Sequence, residues 1–102
     1  MITEIVTFNL PEALTREQVA IAFRKSVAIW QQNPDLLRKY YLYDPVKKLG
    51  GGVYLWKSLD DAKRWHGEAY RQKIKDTFGS KPSFAYYETS IVIDNPSGTV
   101  KR

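Results

Sequence analysis

Hydrophobic and polar positions along this chain predict four strands and two helices. Residues 2–10 alternate with a period of two. Val6, Phe8 and Leu10 share one face, and Ile5, Thr7 and Asn9 the other, before Pro11 ends the strand. Apolar residues then recur at helical spacing over about 15–32, where Val19, Ala22, Phe23, Val27 and Trp30 line up in one stripe with Ser26 among them. Thr15 and Gln18 have the spacing of a capping box, and Asn33-Pro34 stops the helix. Ile21, Ala28 and Ile29 lie outside that stripe, so the helix is expected to touch something on a second side.

A tyrosine-rich run, apolar on both faces, predicts a strand over 36–44, turned by Asp44-Pro45. Three consecutive glycines, Gly50 to Gly52, lead into a strand over 52–57, close enough to the previous one for an antiparallel hairpin. Ser58 is a good N-cap, and Asp60 and Asp61 suit the positive first turn of a helix running to about Phe78, with Gly79 as its C-terminal cap. Alternation resumes after Pro82 and predicts a last strand over 83–93. The polar residues that follow, with 96–102 as the tail proper, are expected to be mobile unless a partner holds them. Residues 1–95 form one expected domain.

The order is β-α-β-β-α-β. This is the α+β, ferredoxin-like arrangement, with one antiparallel sheet and two helices on a single face. The last strand is apolar on both sides, so the open sheet face needs cover. A second copy of the chain is the simplest cover, because soluble monomers rarely expose large aromatic patches.

Composition narrows the function. Of 102 residues, 43% are hydrophobic and 14% aromatic, which excludes a disordered chain. No apolar run approaches the ~20 residues of a membrane span, and residues 1–10 do not read as a signal peptide, so a cytoplasmic protein is expected. The absence of Cys excludes disulfides, thiolate metal sites and a cysteine nucleophile, and a single His excludes a multi-histidine metal site within one chain. No metal or other cofactor is implied. Lys and Arg number 16 against 11 Asp and Glu, a net charge of +5. These basic residues are spread over helices and a loop, and no RNA-binding signature of interleaved basic and aromatic residues is present, so nucleic acid is not the expected partner. The triple glycine lacks the Gly-Lys-Ser/Thr ending of a phosphate loop and leads into a strand rather than a helix.

Several residues carry a likeness to a known family. They are the segment Gly50, Gly51, Gly52, Val53, Tyr54, Leu55, Trp56, Lys57 and Ser58; the helix start at Asp60, Asp61 and Ala62; and the closing Tyr86, Tyr87, Glu88 with Val92, Ile93, Asp94 and Asn95. Across roughly residues 1–95 the chain resembles the YdhR-type monooxygenase family of the dimeric α+β barrel superfamily, which also holds the antibiotic-biosynthesis monooxygenases. The resemblance implies a homodimer with its two sheets face to face and a pocket between sheet and helices in each subunit. It also implies oxidation of a small aromatic compound without metal or flavin. Other branches of the superfamily degrade haem or have no known activity.

On a helical wheel His66 falls near the middle of the apolar arc of the second helix and should point at the sheet. There it is either a general base or a core histidine satisfied by a Tyr hydroxyl or a carbonyl. Tyr70 and Asn9 are the expected orienting groups. Trp65, Trp30, Phe23 and Phe8 are the expected walls for a flat aromatic or apolar ligand, although aromatic stripes at such spacing also serve simply as core. Asn9, Trp65 and Tyr70 match the residue types that the antibiotic-biosynthesis enzymes use in their pockets. Glu88 is expected in an interface ion pair, with Arg38 as one partner, and Lys73 is expected to snorkel to solvent. Three further readings stand beside the monooxygenase one: a binding protein without turnover, a haem-degrading protein with His66 as axial ligand, and a structural dimer with a filled core.

Overall fold

The computed structural model describes residues 1–102 as a mixed α+β structure with a four-stranded antiparallel sheet and three helices. The strands are β1 (Ile2–Asn9), β2 (Leu36–Asp44), β3 (Leu49–Trp56) and β4 (Ser83–Glu88), arranged in the order β2-β3-β1-β4. Every neighbouring pair is antiparallel. The helices are α1 (Arg16–Gln31), α2 (Leu59–Trp65) and α3 (Glu68–Phe78).

Alternation along β1 sends Glu4, Val6 and Phe8 to one face, where all three are buried. Their neighbours Tyr54 and Trp56 on β3 complete the central strip, and Val19, Ala62 and Phe78 press onto it from the three helices. Burial of each such large apolar side chain contributes roughly 1.5–3 kcal/mol. The capping box of α1 forms as its spacing predicts: the Gln18 N–H donates to Thr15 Oγ1 at 3.2 Å, and the Thr15 N–H donates to Gln18 Oε1 at 2.9 Å.

The helix expected to run unbroken to Phe78 is two helices. His66 caps the C-terminus of α2 with φ −104° and ψ 41°, and Gly67 starts α3 in an extended conformation. Glycine is a poor helix former, and the break at this point redirects the chain so that both halves face the sheet. The third strand starts at Leu49, so the glycines belong to the ladder itself, opposite Phe8, Thr7 and Val6. A Cβ at Gly51 would run into the Val6 carbonyl, and one at Gly50 would come within 2.9 Å of the Phe8 ring.

The last strand ends at Glu88 rather than near 93. Thr89 still donates its N–H to the Met1 carbonyl at 3.0 Å, and then the chain leaves the sheet. The end of the expected last strand and the segment expected as a mobile tail together form a hairpin of β5 (Val92–Asp94) and β6 (Thr99–Lys101). Its turn closes through the Gly98 N–H on the Asn95 carbonyl, with Gly98 at φ 69°. Within the chain Arg38 pairs with Asp94 of this hairpin at 3.1 Å, and Glu88 lies on the opposite edge strand from Arg38. No helix is long and apolar enough to cross a membrane.

Only 15 of the 102 residues are buried, and the face of the sheet away from the helices leaves Tyr40 and Tyr87 more than half exposed.

Candidate functional site

Between the sheet and helices α1 and α3 lies a cavity of about 120 Å3. Phe8, Phe23, Trp30 and Tyr70 line it, as the sequence pattern suggests, together with Tyr54 and Lys39. Phe8 stacks on Phe78 at 4.7 Å and closes one end. Of the three β3 glycines, Gly51 lines this cavity.

Lys39 alternates with Tyr41 and Tyr43 on the inward face of β2. Its Nζ stands 3.9 Å from the ring centre of Tyr41, 4.6 Å from Tyr54 and 4.7 Å from Trp30. No carboxylate pairs with it. Burial pushes its ammonium down from the ordinary lysine range to about 7, because the charged form loses water there. Burial also pushes the Tyr70 hydroxyl up to about 12, and it raises the Tyr54 hydroxyl with help from neighbouring Tyr70. Both therefore remain hydrogen-bond donors at ordinary pH. The two hydroxyls lie 3.4 Å apart. Lys73, at the rim from α3, is the second lysine of the lining, which contains no acid.

His66 is fully buried, as its place on the helical wheel implies, but it does not line the cavity. It sits behind the tyrosine wall, stacked on Tyr70 with centroids 4.0 Å apart and boxed edge-on by Tyr54, Trp30 and Trp56. Its Nδ1 lies 2.6 Å from Glu4 Oε1, yet off the N–H direction, so the contact is a close polar one and not a well-aligned hydrogen bond. Nε2 has no partner at all. The Glu4 carboxyl also accepts from Trp56 Nε1 at 2.9 Å. Burial lowers the His66 pKa, and the adjacent Glu4 pulls it the other way. The enclosing rings leave no open side of the imidazole for a haem iron.

Two expected site residues lie elsewhere. Asn9 is exposed at the end of β1, on the face opposite Phe8, because strand alternation turns it away from the helices. Trp65 is 41% exposed, and its indole N–H donates to Asp35 Oδ2 at 3.0 Å. Asp35 also holds Arg64 at 2.7 Å, so Trp65 fastens α2 to the loop before β2 instead of walling the cavity. It contributes only to a shallow outer groove shared with Trp30 and Tyr70. No group of three or more His, Cys, Asp or Glu side chains comes together to hold a metal ion.

The residues that pattern reading missed are Glu4 and Lys39. Each was marked by register: Glu4 falls in step with Val6 and Phe8, and Lys39 in step with Tyr41 and Tyr43. Compared with models of protein families and with curated proteins, the chain finds no match, so its site is read from its own chemistry.

Proposed function

We propose that this chain is a cofactor-independent, monooxygenase-like enzyme that takes a small electron-rich aromatic compound into the cavity between sheet and helices. The observation that carries this reading is the cavity itself, an aromatic-walled space of about 120 Å3 with one uncompensated amine, Lys39, at its side. That volume is comparable to the roughly 150 Å3 apolar cavities that hold a single benzene ring, and a second fused ring would extend into the adjoining groove that shares Lys39, Trp30 and Tyr41. The YdhR-type resemblance read from the sequence suggests the same activity, while no family model matches the chain.

In this reading Lys39 takes the role the sequence suggests for His66, since Lys39 meets the ligand. It removes the proton of a ring hydroxyl, and its ammonium then holds the resulting anion. The Tyr54 and Tyr70 hydroxyls orient it. An electron-rich anion reduces dioxygen by itself: 1-naphthol and O2 give 1,4-naphthoquinone and water. The ring supplies all four electrons, and one oxygen atom goes to each product. Glu4 and His66 act as positioning residues behind Tyr70.

The same reading includes the quaternary structure. The β2-β3-β1-β4 order, with helices on one face, fits a ferredoxin-like protomer. The uncovered aromatic sheet face fits a homodimer closing a dimeric α+β barrel.

The test is dioxygen uptake with 1-naphthol, with product identified by mass spectrometry, in the parent and in Lys39→Met. Quinone formation that depends on Lys39 supports the proposal. Binding without substrate depletion favours the second reading, a non-catalytic small-molecule binding protein, to which the enclosure of His66 away from the cavity lends support.

A further inference from the structure

Lys39 stands at a junction. It lines the inner cavity, and it also lines an open surface groove of about 340 Å3 together with Arg38, Leu36 and Val27. Trp30 and Tyr41 are likewise shared by the two spaces. Groove and cavity therefore adjoin at Lys39, Trp30 and Tyr41. The amine has no salt bridge, and three aromatic faces surround it. The charged and titratable groups around it are Tyr41 on its own strand, Tyr54 from β3, Tyr70 and Lys73 from α3, Arg38 on the groove side, and His66 behind Tyr54 and Tyr70, whose own pKa the Lys39 charge helps to lower. None is a carboxylate. Desolvation without an anionic partner is the general means by which a lysine becomes a nucleophile.

We propose that Lys39 is a carbonyl-capturing amine, whose Nζ condenses reversibly with a small aromatic aldehyde or ketone seated in the cavity. The nitrogen lone pair adds to the carbonyl carbon, and the carbonyl π pair moves to oxygen, which takes up a proton. The carbinolamine then loses water, and the nitrogen loses its remaining protons as C=N forms. Amine and carbonyl become imine and water, with no oxidant or reductant consumed. The Tyr54 and Tyr70 hydroxyls, which stay protonated, are available to hydrogen-bond the carbonyl oxygen. The aromatic walls hold the ring of the ligand, so an aromatic carbonyl compound is favoured over an aliphatic one. This activity uses the cavity of the proposed oxygenase but none of its oxygen chemistry.

The test is anaerobic incubation with benzaldehyde and sodium cyanoborohydride, followed by intact-mass and peptide analysis. The reductant converts any imine into a stable benzylamine. The expected result is one benzyl group on the folded chain, carried by Lys39, with at least a ~10-fold preference over any other lysine. The labelling rate should rise through about pH 7, the value to which Lys39 is pushed. In Lys39→Met and Lys39→Arg, which keep the shape of the site, the fast labelling should vanish, and in urea the selectivity should be lost. Labelling spread over exposed lysines, labelling unchanged in both variants, or no labelling at all would each overturn the proposal. Dioxygen uptake with 1-naphthol is measured separately, so failure of carbonyl capture is distinguishable from failure of the oxygenase reading.

Discussion

His66 Nδ1 lies 2.6 Å from Glu4 Oε1, and both side chains are fully buried. Two ionisable groups in a wall of aromatic rings cost the fold several kcal/mol in desolvation unless they satisfy each other. Here they do so incompletely: Glu4 Oε2 and His66 Nε2 lack partners. Such a pair is retained for position or chemistry more readily than for stability.

Glu4 is expected to matter through Trp56 as well as His66. Glu4→Gln keeps an acceptor for the Trp56 indole and should cost about 1–3 kcal/mol. Glu4→Ala leaves that N–H and the imidazole unpartnered beside a new void, and should cost more. Urea midpoints rank the two. Equal midpoints for parent and Glu4→Ala would show that the pair carries no structural weight.

Acid sensitivity follows from His66. Burial holds its folded pKa below the ordinary 6.5, with Glu4 opposing. The unfolded chain therefore binds a proton more readily than the folded one, and stability falls as pH drops from about 6.5 through the lowered folded value. His66→Phe removes that linkage. The slope of the urea midpoint against pH below about 6.5 should flatten in this variant. An unchanged slope would assign the acid response to other groups.

Lys39 acts in a different window. Its folded pKa is pushed from 10.5 to about 7, so between those values the unfolded chain again binds the extra proton, and stability rises with pH. Below about pH 7 both states carry the charge, and the burial penalty is felt in full. Lys39→Met should be more stable than the parent near pH 6, by an amount on the order of a few kcal/mol at most, and the gap should close toward pH 10. A constant gap across this range would show that Lys39 titrates normally.

The uncovered face of the sheet predicts self-association. Tyr40 is 56% exposed and Tyr87 57% exposed on that face. Light scattering after gel filtration should give twice the chain mass for the parent. Tyr40→Glu combined with Tyr87→Glu should give the monomer with its circular dichroism retained. A monomeric parent would remove the dimeric-barrel reading while leaving the protomer intact.

Much of the protomer was legible in the sequence because it depends on local periodicity. Alternation at Val6 and Phe8 marked the inner face of β1, and the capping box at Thr15 and Gln18 marked the start of α1. The serine cap at Ser58 marked α2. The helix break escaped because His66 and Gly67 continue the apolar wheel, and only packing of both halves on one sheet selects a turn there. The site was half legible. Phe8, Phe23, Trp30 and Tyr70 reach the cavity because periodicity states which face a side chain takes. Asn9 failed by one strand position, and Trp65 was drawn outward by Asp35, a partner thirty residues away in sequence.

By itself, then, the sequence determined the class of elements, their order and most inward faces, since these follow from spacings of two and about 3.6 residues. Tertiary structure alone decided which polar groups share the interior. Lys39 among three rings and Glu4 against His66 come from strands and helices far apart in the chain. Their altered proton affinities arise from desolvation and proximity, quantities that exist only once the sheet and helices have closed over them.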